Sequence, residues 1–195
     1  MSIILDIIAA AIIGGIMLIS IFSMMGNINQ ANFEKTLSTN VQGNIITLAR
    51  IMESDILKIG YHIKTDAIQS ADSTNIAFKS DLTNSGTIVS VQYSLGDTVS
   101  STRNANDRML IRQATGQQTI NANVGMTYLQ FAYFDTLGRE LQCPLNTKIR
   151  LDSIKAIRIK IRLESSEPVY SSLSNTAAYQ NVYWEKTIYP RNLNQ

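Results

Sequence analysis

IILDIIAAAIIGGIMLISIFSMM, residues 3–25, carries one ionisable side chain, Asp6, in 23 positions. As a helix rising 1.5 Å per residue it spans about 35 Å, more than the roughly 30 Å hydrocarbon core of a bilayer. A secretory signal joins a basic start to an apolar stretch of roughly 7–15 residues. Here the first basic residue is Lys35 and the apolar run is longer. A fully buried core helix is the alternative reading. The segment is expected to cross the membrane.

Beyond a short polar stretch, residues 26–30, apolar residues recur every three or four positions: Phe33, Leu37, Val41, Ile45, Leu48, Met52, Ile56 and Ile59. Such a stripe marks one face of an amphipathic helix. Few ion pairs support that helix along its own surface, so it must be held by packing its stripe on something. Gly60 is the expected stop, with Lys58 in the last turn beside the negative end of the helix dipole. No proline precedes Pro144, and two arrangements stand: one helix of roughly 55 residues, or two helices hinged near Gly26, Asn27 and Asn29.

From about residue 85 the period drops to two. Val89, Val91, Tyr93 and Leu95 share a face of a first strand, and Gly96-Asp97 reads as its turn. Residues 100–107 form a polar loop before a short strand at 108–112, and residues 113–125 are again polar. MTYLQFAYF, residues 126–134, is the strongest strand signal, followed by an Asp135-Thr136-Leu137-Gly138 turn. AIRIKIRLE, residues 156–164, alternates Ile157, Ile159, Ile161 and Leu163 with Arg158, Lys160 and Arg162, giving a strand with a basic outer face. A last strand near residues 182–188 stops before Pro190. The expected fold class is α+β: a long N-terminal helix, membrane-spanning in its first half and amphipathic in its second, packed on a mostly antiparallel β-sheet of five strands. Residues 1–30 are the anchor and residues 31–195 the α+β domain.

The chain has 195 residues, 16% charged and 45% apolar, which excludes a disordered polyelectrolyte. Seventeen basic against 15 acidic residues leave +2, too balanced to point to nucleic acid. Cys143 is the one cysteine and His62 the one histidine, so neither a disulfide framework nor a multi-thiolate or histidine-rich metal site is available. His62 has no placed carboxylate or nucleophile, and Cys143 reads as structural. The Arg158, Lys160, Arg162 row has no aromatic platform on its own face and reads as a solvated strand face. No phosphate loop, nucleophile elbow or metal-ligand spacing is present. Catalytic, cofactor and metal sites are all expected to be absent.

The residues left for function lie in the apolar segment. Asp6 has three readings: a charge favoured at the helix N-terminus, a partner for a cation on another subunit, or part of a proton relay. Ala10 with Gly14 and Ala11 with Gly15 are small-xxx-small pairs that let another helix approach.

An apolar N-terminal helix with an early acid, an amphipathic continuation and a C-terminal antiparallel sheet resembles the type IV pilin and type II secretion pseudopilin superfamily. RIMESDILKIGY (residues 50–61), MTYLQFAYFDTLGREL (126–141) and TIYPRNLN (187–194) resemble, more narrowly, W-type minor pilins and J-type pseudopilins. The resemblance implies a pilin-like fold and a non-enzymatic subunit of the initiation or tip complex of a type IV pilus or secretion filament. It implies other pilin-like subunits, inner-membrane assembly components and the lipid bilayer as partners, and a single-pass inner-membrane location with the C-terminal domain periplasmic or extracellular. It also implies that Asp6, fifth after Met1, stands where the family carries a glutamate that meets a neighbour's N-terminal amine. The alternative is a bitopic membrane-anchored β-rich binding domain that enters no filament.

Overall fold

In the computed structural model, which describes residues 2–170 and 177–194, α1 (Ser2–Leu57) is a single 56-residue helix. At 1.5 Å per residue it is about 84 Å long. Gly26, Asn27 and Asn29 lie inside it without a break, so the unhinged arrangement is the one that forms. Weak helix formers cost well under 1 kcal/mol each for asparagine and about 1 for glycine, and a helix already nucleated on both sides carries them.

The strands are β1 (Ile68–Ala71), β2 (Asn75–Ser80), β3 (Val89–Thr98), β4 (Arg108–Ala114), β5 (Ile120–Phe134), β6 (Glu140–Leu141), β7 (Ala156–Glu164), β8 (Val169–Tyr170), β9 (Ala177–Ala178) and β10 (Asn181–Ile188). A short α2 (Lys148–Asp152) precedes β7, and a 3-10 turn, Arg191–Asn194, closes the chain. The main sheet runs β1-β2-β3-β4-β5-β7-β10, each pair antiparallel, with β6 added to β5; β8 and β9 pair separately. The expected five strands are therefore too few. β1 and β2 went unread because their segments, IQSA and NIAFKS, mix small and polar residues into the alternation.

Two strand limits also move. β3 continues through Gly96 and Asp97, and its pairing with β4 shifts register between Leu95 and Thr98. The glycine is not a turn; a Cβ there would lie 2.9 Å from Ile111 Cδ1, so it admits a close cross-strand neighbour. β5 begins six residues before the expected Met126, in a polar segment that still pairs with β4 through Ile120, Asn121 and Ala122.

The helix crosses β10, β5 and β7. Val41, Ile45, Leu48, Met52, Ile56 and Ile59 join Phe78, Tyr93, Leu129, Phe131, Ile157, Ile159 and Ile161 in one core. Leu37 is buried at its margin, whereas Phe33 is 47% exposed: the stripe extends one turn beyond the described sheet. Ile59 is buried but follows the last helical residue, Leu57.

Candidate functional site

The bare half of α1 is the most unusual surface. Its most apolar 18-residue window has a mean hydropathy of 2.5 and no residue buried inside the molecule, which is not how a core helix behaves. The helix is long and apolar enough to cross a membrane. Asp6, Ala10 and Gly14 follow one another at spacings of four along one strip, with Ala11 and Gly15 beside it. Nothing lies within 4 Å of a Cβ built on Gly14 or Gly15. The fold thus gathers the five expected residues on one bare helix face and gives them no partner within the described chain.

The other half of α1 is locked. Asp55 faces β3 and β4, where its Oδ2 accepts a hydrogen bond of 2.6 Å from Tyr93 Oη and one of 2.9 Å from Arg112 Nε. Arg112 also donates to Tyr93 Oη at 3.1 Å. Burial, then the Asp55 charge, pushes the Tyr93 phenol far above its usual range. Burial alone would lower the Arg112 guanidinium, but its bond to Asp55 holds it raised. Nearby, Lys186 of β10 pairs with Glu53. This charged cluster was not legible, because its members are separated by tens of residues and meet only when α1 lies across the sheet.

At the helix end, Gly60 adopts φ +77°, and a Cβ there would crowd Ala67 Cβ at 3.2 Å and Asn192 Cβ at 3.3 Å. Just past the helix end, Lys58 O accepts from Ser80 Oγ at 2.7 Å as well as from Tyr61 N–H at 2.9 Å, and Ile59 O accepts from Asn192 Nδ2 at 3.4 Å. Lys58 follows the last helical residue rather than sitting in the last turn, and its ammonium donates to Leu82 O at 2.7 Å. Two of the three segments that carry the family resemblance, 50–61 and 187–194, therefore meet at the joint between helix and sheet.

His62 does have a carboxylate, contrary to the sequence reading: its Nδ1 lies 3.0 Å from Asp81 Oδ2. Burial would raise the Asp81 carboxyl, but the Gly86 N–H, the His62 ring and the Ser85 N–H together hold it below the usual range. These contacts fix the turn after β2 and present no nucleophile. Cys143 is half-buried, and burial pushes its thiol up, the opposite of an activated cysteine.

The outer face of β5, β7 and β10 also differs from expectation. Tyr128 and Tyr183 both register with Arg162, so an exposed Tyr-Arg-Tyr row crosses three strands. Arg162 Nε lies 3.2 Å from Glu164, and Arg158 Nε lies 3.5 Å from Glu185. Arg158 also sits 4.6 Å over the Phe134 ring. Aromatics are thus present on that face, but acids on the same strands engage two of its three cations. Among the described residues, no three His, Cys, Asp or Glu side chains come together in a way that would hold a metal ion.

No protein-family model matches the chain, and no curated protein sequence matches it. Among solved structures it is similar to a type IV-like pilin, TTHA1219 from Thermus thermophilus, with a TM-score of 0.49 and 11% identity over 80% of this chain and 96% of that one. At that distance no residue's role transfers.

Proposed function

We propose that the chain is a non-enzymatic subunit of a type IV pilus or type II secretion filament, of the W-type minor pilin or J-type pseudopilin kind, acting in initiation or tip assembly. The observation that carries the reading is the division of α1: a bare apolar first half continues without a break into a second half locked on a sheet by Asp55, Tyr93 and Arg112. In this reading residues 1–30 lie in the inner membrane and residues 31–195 outside the cytoplasm. The Ala10, Ala11, Gly14, Gly15 strip receives a neighbouring subunit's helix, and Asp6 pairs with that neighbour's N-terminal ammonium. Ile46 and Ile51, exposed on the locked half, extend the apolar surface for such a neighbour. The three segments resembling these families support the same assignment.

The test is crosslinking and co-purification of pilin-like subunits with wild type, Asp6→Ala and Asp6→Glu at matched membrane levels. A carboxylate in low dielectric gains strongly from an opposite charge, so Asp6→Ala should insert and fold but lose partners, and Asp6→Glu should retain them. A plain anchor would lose only the helix-terminal dipole contribution, roughly 0.3–1 kcal/mol. Equal recovery from all three would refute the pairing and leave the anchored binding domain, for which the Tyr128–Arg162–Tyr183 row is the exposed contact face.

A further inference from the structure

Where α1 ends, at the opposite end from its bare half, a pocket of about 500 Å³ opens, within the range that holds small ligands. Three segments wall it: the end of α1 with the turn after it, the turn after β2, and the closing 3-10 turn. Leu57, Leu82 and Tyr61 give it apolar surface, and Lys58, Arg191 and Asn84 give it hydrogen-bond donors.

Those donors are in surplus. Lys58 is half-buried and spends one N–H of its ammonium on Leu82 O, at 2.7 Å. Arg191 is exposed, and among the described residues neither cation is ion-paired. The Asn84 side chain, on a backbone at φ +56°, accepts from Tyr61 Oη at 3.0 Å through its oxygen, which leaves its amide N–H groups to donate. Asp81 is the carboxylate of this pocket, and its charge is already answered. Its Oδ1 accepts from Ser85 N–H at 3.1 Å, its Oδ2 accepts from Gly86 N–H at 2.7 Å and lies 3.0 Å from His62 Nδ1, and its side chain has no exposed surface. The carbonyls just past the negative end of α1 are answered as well, Lys58 O by Ser80 and Tyr61, Ile59 O by Asn192.

An ammonium and a guanidinium lining one hollow, with no free acid between them, suit an anion. A phosphate is disfavoured, because the adjacent backbone N–H groups that would cradle it, those of Ser85 and Gly86, are taken by Asp81. The guanidinium fork matches a carboxylate in geometry and in charge, and the two leucines and the tyrosine ring suit an apolar body behind it. We propose that the pocket binds the C-terminal carboxylate of a partner peptide chain whose last side chain is apolar, with Arg191 and Lys58 on the carboxylate and Asn84 donating to the peptide backbone. The pocket is built from residues beyond 56 and stands whether or not the chain enters a filament.

The test uses the full chain in detergent micelles, titrated by calorimetry with N-acetylated tripeptides ending in alanine, leucine or phenylalanine. Each is used as free acid and as C-terminal amide, and inorganic phosphate is titrated alone. The leucine or phenylalanine acid should bind one to one at a dissociation constant of about 1 mM or tighter, and its amide at least about tenfold more weakly. The alanine acid should bind more weakly than either, and added sodium chloride should weaken all the acids. Arg191→Gln should lower the affinity at least about tenfold while keeping the thermal midpoint, since Arg191 is exposed and makes no ion pair among the described residues. Arg191→Lys, which keeps the charge and loses the fork, should fall between the two. Lys58→Gln should also lower the affinity; if loss of the Leu82 contact unfolds it, Arg191→Gln decides alone. No binding of any acid overturns the proposal, and so does equal affinity for acid and amide, which leaves an apolar slot. Phosphate binding as tightly as the acids overturns the carboxylate assignment, and an alanine acid equal to the leucine acid overturns the apolar side chain. Unaltered peptide binding in the folded variants overturns the site.

Discussion

At the scale of single residues, the joint between α1 and the sheet depends on a buried carboxylate, Asp55, whose Oδ2 accepts from both Tyr93 and Arg112. Removing Arg112 leaves Asp55 buried beside a phenol with no cation. Arg112→Ala should therefore destabilise the domain by about 3–5 kcal/mol. Tyr93→Phe removes one hydrogen bond to a charged acceptor and should cost about 1.5–3 kcal/mol. Denaturant unfolding of the two variants should reproduce that order; the reverse would show that the phenol, and not the guanidinium, is the principal partner of Asp55. Asp81 makes a different claim, about pH. Its carboxyl is held low in the fold and is ordinary, near 3.9, in the unfolded chain. Its contribution is present above that unfolded value and is lost as pH falls through the folded one. The stability gap between wild type and Asp81→Asn should be open at pH 6 and close below about pH 4, followed by circular dichroism. A gap independent of pH would mean that the loss in the variant comes from packing.

The elements were legible in proportion to the regularity of their apolar spacing. The helix stripe and the strand at 156–164 each bury one periodic set of large side chains, and both lie where the spacing puts them. β1 and β2 were not legible, since Ser70, Ala77 and Ser80 interrupt any apolar alternation. The start of β5 was hidden because Asn121, Asn123 and Gly125 break the apolar alternation, although Ile120, Asn121 and Ala122 pair with β4. Phe33 teaches the opposite lesson. It has the right spacing, but periodicity names a face of a helix and says nothing of where the covering element stops. That difference gives a paired test. Leu48→Asp places a charge in the core and should cost about 3–5 kcal/mol, whereas Phe33→Asp, outside the packed region, should change stability by less than about 0.5 kcal/mol. Equal losses would require Phe33 to be covered within the folded chain. That Asp6, Ala10 and Gly14 share one helix face was legible, because their spacing of four is local in sequence. The Asp55 cluster was not, because it draws on segments that only the sheet brings together.

For the whole molecule, the decisive feature is that α1 runs from its bare end into the core with no hinge. A helix advances about 100° per residue, so it carries angular information as well as length. One residue inserted at Gly26 would turn the sheet by about 100° around the helix axis relative to Asp6 and raise it about 1.5 Å. Seven residues would raise it about 10.5 Å yet return it to within about 20° of its original bearing. If the chain assembles as proposed, crosslinking to neighbouring subunits should therefore recover with the seven-residue insertion more fully than with one or two. A steady decline with added length would show that reach, and not bearing, limits the contact. The compass direction in which the sheet points is set by a count of residues between Asp6 and the core, and evolution can retune it one residue at a time without touching either end.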